Sequence, residues 1–202
     1  MSHRLHAFFV RTAMVAATAA SAVASAATPS FDCAGGINAA QRLICGDDAL
    51  AALDRKLGDV FGRAAKSLPN DKSIAYFVAE QRDWVRSRDG CPTTPNPQAC
   101  LSSVYRTRIA ELQGRFRMVP ARGPFRFACD GTPPQDVVVT WFDTDPPSGT
   151  LETRDGATPI FETASASGTR YVGDDVAFSE HQGTATLTYG ITAQELNCRQ
   201  KP

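Results

Sequence analysis

Six cysteines, at positions 33, 45, 91, 100, 129 and 198, constrain this 202-residue chain more than any other feature. An even cysteine count in an exported chain reads as disulfides rather than as thiol catalysis or zinc binding. Export is itself expected. Arg4 and Arg11 flank a short apolar stretch, and residues 13–27 are alanine, valine, serine and threonine with one methionine, the make-up of a signal peptide. Ala24-Ser25-Ala26 and Ser25-Ala26-Ala27 both offer small residues for cleavage, so residues 1–27 are expected to leave. Cys33 follows Pro29-Ser30-Phe31-Asp32 rather than a lipobox, so the expected product is periplasmic or secreted and carries no membrane anchor.

The cysteines also divide the remaining chain. Up to Val119 it is rich in Ala, Leu, Arg and Lys, whereas from Pro120 onward Gly, Thr, Pro, Asp and β-branched residues take over. Two domains are expected, 28–119 and 120–202, joined around Met118-Val119-Pro120-Ala121-Arg122-Gly123-Pro124. Four cysteines fall in the first and two in the second, so each can close its own bridges. The first carries 13 Lys+Arg against 10 Asp+Glu and the second 6 against 11, net charges of +3 and −5. Neither value suits a nucleic-acid binder; the acidic second part reads as a solvated surface or, more sharply, as the complement of a basic partner.

The first part reads as a helical bundle. Leu43, Ile44, Leu50, Leu53, Leu57, Phe61, Ala64 and Leu68 recur at three- and four-residue steps, with a break and an N-cap at Gly46-Asp47-Asp48. A short helix followed by a long one fits this pattern. After Pro69-Asn70-Asp71 a second run, Ile74, Phe77, Gln81, Trp84 and Arg88, ends at Gly90, and a third helix covers about 99–116. The inward stripe of that third helix is Leu101, Val104, Tyr105, Arg108, Ile109 and Leu112. An antiparallel helix pair favours Cys45 with Cys91, leaving Cys33 with Cys100; the local Cys91–Cys100 bridge around a proline-rich hexapeptide is the rival pairing.

The second part reads as strands at 125–129, 137–142, 160–163, 176–178, 185–189 and 195–198, with turns at 131–134, 146–149, 154–156 and 172–175. Short strands at this spacing make an antiparallel barrel or sandwich. Cys129 and Cys198, on its first and last strands, would tie its ends together. The fold class is therefore α+β in two domains.

Two resemblances follow from the residues. Phe31-Asp32-Cys33, Ile44-Cys45, Leu50, Leu53-Asp54, Gln81, Trp84, Arg88, Cys91, Cys100-Leu101, Tyr105 and Arg108-Ile109-Ala110-Glu111-Leu112 together resemble the N-terminal domain of the LprI lysozyme-inhibitor family. Phe127-Ala128-Cys129-Asp130, Ser165-Ala166-Ser167-Gly168-Thr169-Arg170-Tyr171 and Asn197-Cys198 resemble the MliC family, inhibitors of c-type lysozyme built as a small eight-stranded antiparallel barrel. The second resemblance implies that Ser167 sits on a loop entering the lysozyme cleft and donates a hydrogen bond to the catalytic carboxylates, with a lysine on a second loop assisting. A hydroxyl and a cation both suit that task, which needs no reaction. Gly168 would allow the tight turn and Tyr171 would brace the loop.

This chain departs from that pattern at the second loop. It reads Phe178-Ser179-Glu180-His181-Gln182-Gly183-Thr184-Ala185, which puts Gln182 at the lysine if Gly183 is the anchor and His181 there if Phe178 and Ala185 are. The candidate lysozyme-binding residues are thus Ser165, Ser167, Gly168, Arg170, Tyr171, His181 and Gln182. The plainer reading of this stretch is a solvated turn with a packed tyrosine and an ordinary surface histidine.

Other chemistries find less support. His3 and His6 would leave with the signal, so His181 is the single histidine of the mature chain, too few for a histidine metal site. Asp143-Thr144-Asp145 runs into Pro146-Pro147 and reads as a turn. Asp54, Gln81, Trp84, Arg88 and Arg108 read as a structural polar network, with a binding groove as the lesser reading. A serine hydrolase using Ser167 or Ser165 with His181 lacks a Gly-x-Ser-x-Gly elbow, and no cofactor loop is present. The chain is therefore expected to be non-catalytic, without metal or cofactor, and to have a c-type lysozyme as its partner; the alternative is an envelope accessory protein that keeps the barrel without the inhibition. All six cysteines should be oxidised, so alkylation of the folded, unreduced protein should add no mass to the intact chain.

Overall fold

A computed structural model describes residues 28–131, 135–165, 169–190 and 194–202. The expected signal segment, 1–27, lies outside them.

The first part is helical. Helix α1 (Ala39–Cys45) is opened by a capping box between Asn38 and Gln41. Helix α2 (Asp48–Lys66) starts where the Asp47 carboxylate accepts from the backbone N–H groups of Ala49 and Leu50. Asn70 caps α3 (Asp71–Arg88), and Asn96 caps α4 (Pro97–Arg115). Short polar side chains satisfy the otherwise unpaired N–H groups of each first turn. Ile44, Leu50, Leu57, Val60, Phe77, Leu101, Tyr105, Ile109 and Leu112 form the shared core, with the Phe61 and Phe77 rings stacked 4.5 Å apart.

Two bridges stabilise this region, and they differ from the favoured pairing. Cys33 is bonded to Cys45 and Cys91 to Cys100. Both are local, with separations of 12 and 9 residues. Cys45 ends α1, and the preceding segment folds back onto it; Cys91 opens a 3-10 turn and Cys100 sits in the first turns of α4. The rival bridge is thus the one present, and Cys45–Cys91 and Cys33–Cys100 are not formed. Closing short loops costs little chain entropy, so each cysteine meets the partner nearest along the chain.

The second part is a closed antiparallel barrel of eight strands in sequential order. They are β1 (Ala121–Cys129), β2 (Gln135–Phe142), β3 (Ser148–Thr153), β4 (Gly156–Thr163), β5 (Arg170–Gly173), β6 (Val176–His181), β7 (Thr184–Tyr189) and β8 (Gln194–Gln200). Six match strands expected from the residues; β3 and β5 do not. Ser148 and Gly149, expected in a turn, begin β3, where a side chain at Gly149 would put its Cβ 2.7 Å from the Trp141 ring. The absent side chain is what lets the indole lie flat on the strand. Val172 and Gly173 likewise belong to β5, where a Cβ at Gly173 would come within 2.4 Å of the Pro159 carbonyl oxygen.

Alternation fills the barrel: Phe127, Val137, Val139, Leu151, Ile160, Phe178, Leu187 and Leu196 point inward. The seam between β1 and β8 is short, pairing Phe127 with Gln200, Ala128 with Arg199 and Cys129 with Cys198. Cys129 and Cys198 are also joined covalently.

The two parts meet through α4. Phe142 points away from the barrel core yet is only 6 % exposed, because its ring rests where Gly114 of α4 has no side chain; a Cβ there would lie 2.8 Å from the ring. Arg106, two turns earlier on α4, pairs with Asp145 in the β2–β3 loop. This explains why α4 buries Ala110 and Gly114 in addition to its expected stripe: one side packs on α2 and another on the barrel.

Replacing Gly114 by Leu should lower the unfolding free energy by about 1 kcal/mol or more through overpacking, even though roughly 0.8 kcal/mol of helix propensity is recovered. In a Phe142→Ala background the same change should be neutral or stabilising. Urea unfolding of the four proteins of this cycle measures the coupling.

Candidate functional site

Three connections share one end of the barrel: the β2–β3 loop (143–147), the β4–β5 connection (164–169) and the two-residue β6–β7 turn. The candidate residues lie on the last two. Ser165 is exposed in the β4–β5 connection; Ser167 and Gly168 lie outside the described residues. Arg170, exposed, is the first residue of β5 and sits opposite Thr163 and Ser179.

Tyr171 is opposite Glu162 on β4 and the buried Phe178 on β6. Directly opposed residues face the same side of a sheet, so its ring turns into the barrel mouth. There it lies 4.2 Å from the Trp141 ring, centre to centre. Partial burial raises the pKa of the Tyr171 hydroxyl, and the negative charge of Glu162 raises it further; Arg122 opposes and Glu180 adds. Arg122 is opposite Trp141, and Glu180 is opposite the inward-facing Ala185. The mouth is therefore an aromatic pair ringed by Arg122, Glu162 and Glu180, all exposed.

At the second turn Gln182 and Gly183 both have positive φ, 51° and 79°, the pair of left-handed residues that a tight hairpin turn needs. The Gly183 N–H donates to Glu180 Oε1 at 2.9 Å, and the Thr184 hydroxyl donates to the His181 carbonyl at 2.8 Å. His181 is exposed and opposite Thr184. Together with Ser179, Thr184 and Thr169, the last residue of the β4–β5 connection, it lines a shallow groove that continues to Asp130 and Arg199. Gln182, at the tip of the turn, does not line that groove. Arg170, Tyr171 and His181 thus come together around one end, with Gln182 at its edge.

Asp130 and Asn197, singled out as motif residues, hold the seam. Asn197 donates its backbone N–H and its side-chain amide to the two Asp130 oxygens at 2.8 and 3.2 Å, and the Asp130 N–H donates to the Asn197 carbonyl at 2.9 Å. In the matching stretch, 127–196, the chain fits the family model of the membrane-bound lysozyme-inhibitor of c-type lysozyme, MliC. Most of the barrel is thus similar to that inhibitor family. Over 187 residues the chain is also 28% identical to the proteins named Lipoprotein LprI of Mycobacterium bovis and Mycobacterium tuberculosis, an alignment covering 89% of this chain and 91% of each relative. No solved structure matches significantly.

Outside the barrel, the polar residues of the helical region form two clusters. In the first, Tyr105 donates to Asp54 Oδ1 at 2.7 Å and accepts from Arg88 at 2.9 Å, while the Ser30 N–H and hydroxyl both donate to Asp54 Oδ2 at 2.6 Å. The Arg88 guanidinium also lies over the Trp84 ring, 5.8 Å from its centre. In the second, Arg108 donates to Gln81, Glu80 and Glu111. Residue spacing brought Asp54, Gln81, Trp84, Arg88 and Arg108 forward; it missed Ser30, whose role needs the N-terminal segment folded back on α2. On the barrel it missed Trp141, Arg122 and Glu162, which only strand register gathers at the mouth.

Burial raises the pKa of the Tyr105 hydroxyl well above its ordinary value near 10; Arg88 opposes, and the hydrogen bond to Asp54 adds to the rise. A pKa raised on folding contributes stability that is present below pH about 10 and lost as pH climbs beyond it. Urea unfolding between about pH 9 and 11 should show falling stability, and Tyr105→Phe should be less stable at neutral pH and show a flatter decline.

Proposed function

We propose that this protein is a non-catalytic periplasmic or secreted inhibitor of c-type lysozyme, with the helical residues 28–119 and the barrel residues 120–202 as its two domains. The residues 165–171 act as a plug for the enzyme's cleft, with Ser167 donating a hydrogen bond to a catalytic carboxylate. One observation carries this reading. The β4–β5 connection lies within the family match, and the strand that follows it is anchored by Tyr171 against Trp141. A strand anchored by two aromatic rings in contact loses little freedom on binding, which favours affinity.

The extracytoplasmic location is supported by the names of the relatives, lipoproteins in both organisms. Among the described residues no helix is long and apolar enough to cross a membrane. For the second contact, the groove that His181 shares with Thr169 supports His181 over Gln182. A cation at position 181 would stand beside the plug, whereas one at position 182 would project from the tip of the turn.

Titration calorimetry of the mature chain against a c-type lysozyme tests the reading. Ser167→Ala removes one hydrogen bond to a charged group, worth about 1.5–3 kcal/mol, so binding should weaken about ten- to a hundredfold with the thermal midpoint unchanged. His181→Lys should tighten binding more than Gln182→Lys. Absence of binding by the parent protein, or unchanged affinity in Ser167→Ala, would overturn the inhibitor reading in favour of an accessory protein that keeps the fold.

A further inference from the structure

The end of the barrel that carries the plug is also the end that the helical region adjoins. Phe142, against Gly114, is the last residue of β2. Asp145, paired with Arg106, is in the β2–β3 loop just beyond it. Helix α4 therefore climbs from the barrel wall at Gly114 toward the loop-bearing rim at Arg106, about 12 Å along its axis. The β2–β3 loop in turn touches the strand that leads into the plug, because the Glu162 N–H donates to the Pro147 carbonyl at 2.9 Å.

Residues 99, 103, 106, 110 and 114 fall on one side of α4, being three or four apart. The barrel side covers that face at Ala110 and Gly114, both buried. Nearer the helix start, Ala99, Ser103 and Arg106 on the same face are exposed. Asp143 and Asp145 are exposed on the loop beside it.

We infer that the start of α4 and the β2–β3 loop form the second half of the partner-binding surface, and that the lysozyme engaged by the plug rests against Ala99, Ser103 and Arg106. This rests on the inhibitor reading above. Size is the first argument. A stable protein–protein contact needs about 800 Å² and roughly 20 residues from each partner, whereas the β4–β5 connection and the β6–β7 turn together offer eight residues. The remainder must come from adjoining surface, and the exposed α4 face is continuous with the rim. The joint occurrence of the two parts is the second argument: likeness to the lipoprotein relatives extends over 89% of the chain, through both the helices and the barrel.

Titration of the full mature chain with a c-type lysozyme tests this. Ser103→Arg puts a long cationic side chain into the contact from an exposed helix position, and should weaken binding at least tenfold. Ser87→Arg, on the exposed side of α3, should leave it unchanged. Circular dichroism melts of both should match the parent. Amide exchange, measured on the parent with and without lysozyme, should show added protection in the first half of α4. If the parent binds and Ser103→Arg binds equally well, with no added protection in α4, the helical contact is wrong and the plug stands. If the parent does not bind at all, the inhibitor reading fails and this inference fails with it.

Discussion

The seat of Phe142 against Gly114 governs how the rest of the molecule is arranged. An aromatic side chain on the outer wall of a barrel would ordinarily leave a large apolar surface in water, and burying one contributes roughly 1.5–3 kcal/mol. Here the ring is covered by a helix that approaches closely because one residue lacks a side chain. The same helix packs its other side on α2 and holds Tyr105, whose hydroxyl joins Asp54 to Arg88. Helix α4 is thus a wall common to two cores, and the seat sets the direction in which the helical region leaves the barrel.

The barrel mouth shows a related economy. Inward positions below it are aliphatic or aromatic and fully packed, as an eight-stranded barrel requires. One layer higher the inward positions turn amphipathic: the Trp141 and Tyr171 rings meet at a tilt, and Arg122, Glu162 and Glu180 reach solvent around them. Glu180 also secures the neighbouring turn through the Gly183 N–H. Rigid rings beneath and charge around the edge give a rim that keeps its shape, and stiffness of this kind lowers the entropy lost on any association.

How much of this was legible in the sequence depends on where the information resides. Helices could be read because their determinants are local: the three- and four-residue spacing of Leu50, Leu53, Leu57 and Phe61, and the cap at Asp47. Strands rich in valine and aromatic residues could be read for the same reason. The segments Ser148–Thr153 and Arg170–Gly173 could not, because their serine and glycines belong to strands only when Trp141 and Pro159 lie across them. Disulfide pairing is not legible from helix direction, which favours Cys45 with Cys91; the short reach between cysteines near along the chain decides it. The seat at Gly114 was invisible, since a residue without a side chain leaves no periodic signal. The candidate loop was found through resemblance alone; the composition of 165–171 is that of any polar turn, and register was needed to bring His181 beside Thr169.

The closing of the barrel depends on β8, which must pair with β7 along its length and with β1 at the seam before either edge is satisfied. The helical region makes no such demand: both of its bridges join cysteines close along the chain, and its last helix ends at Arg115. For a chain emerging N-terminus first, the helices and their bridges can be complete while the barrel is still an open ribbon. The finished surface of α4 around Gly114 then stands ready as a template on which Phe142 and its strand settle. The last strand to be made is thus the one that closes the barrel, while both helical bridges lie far upstream of it.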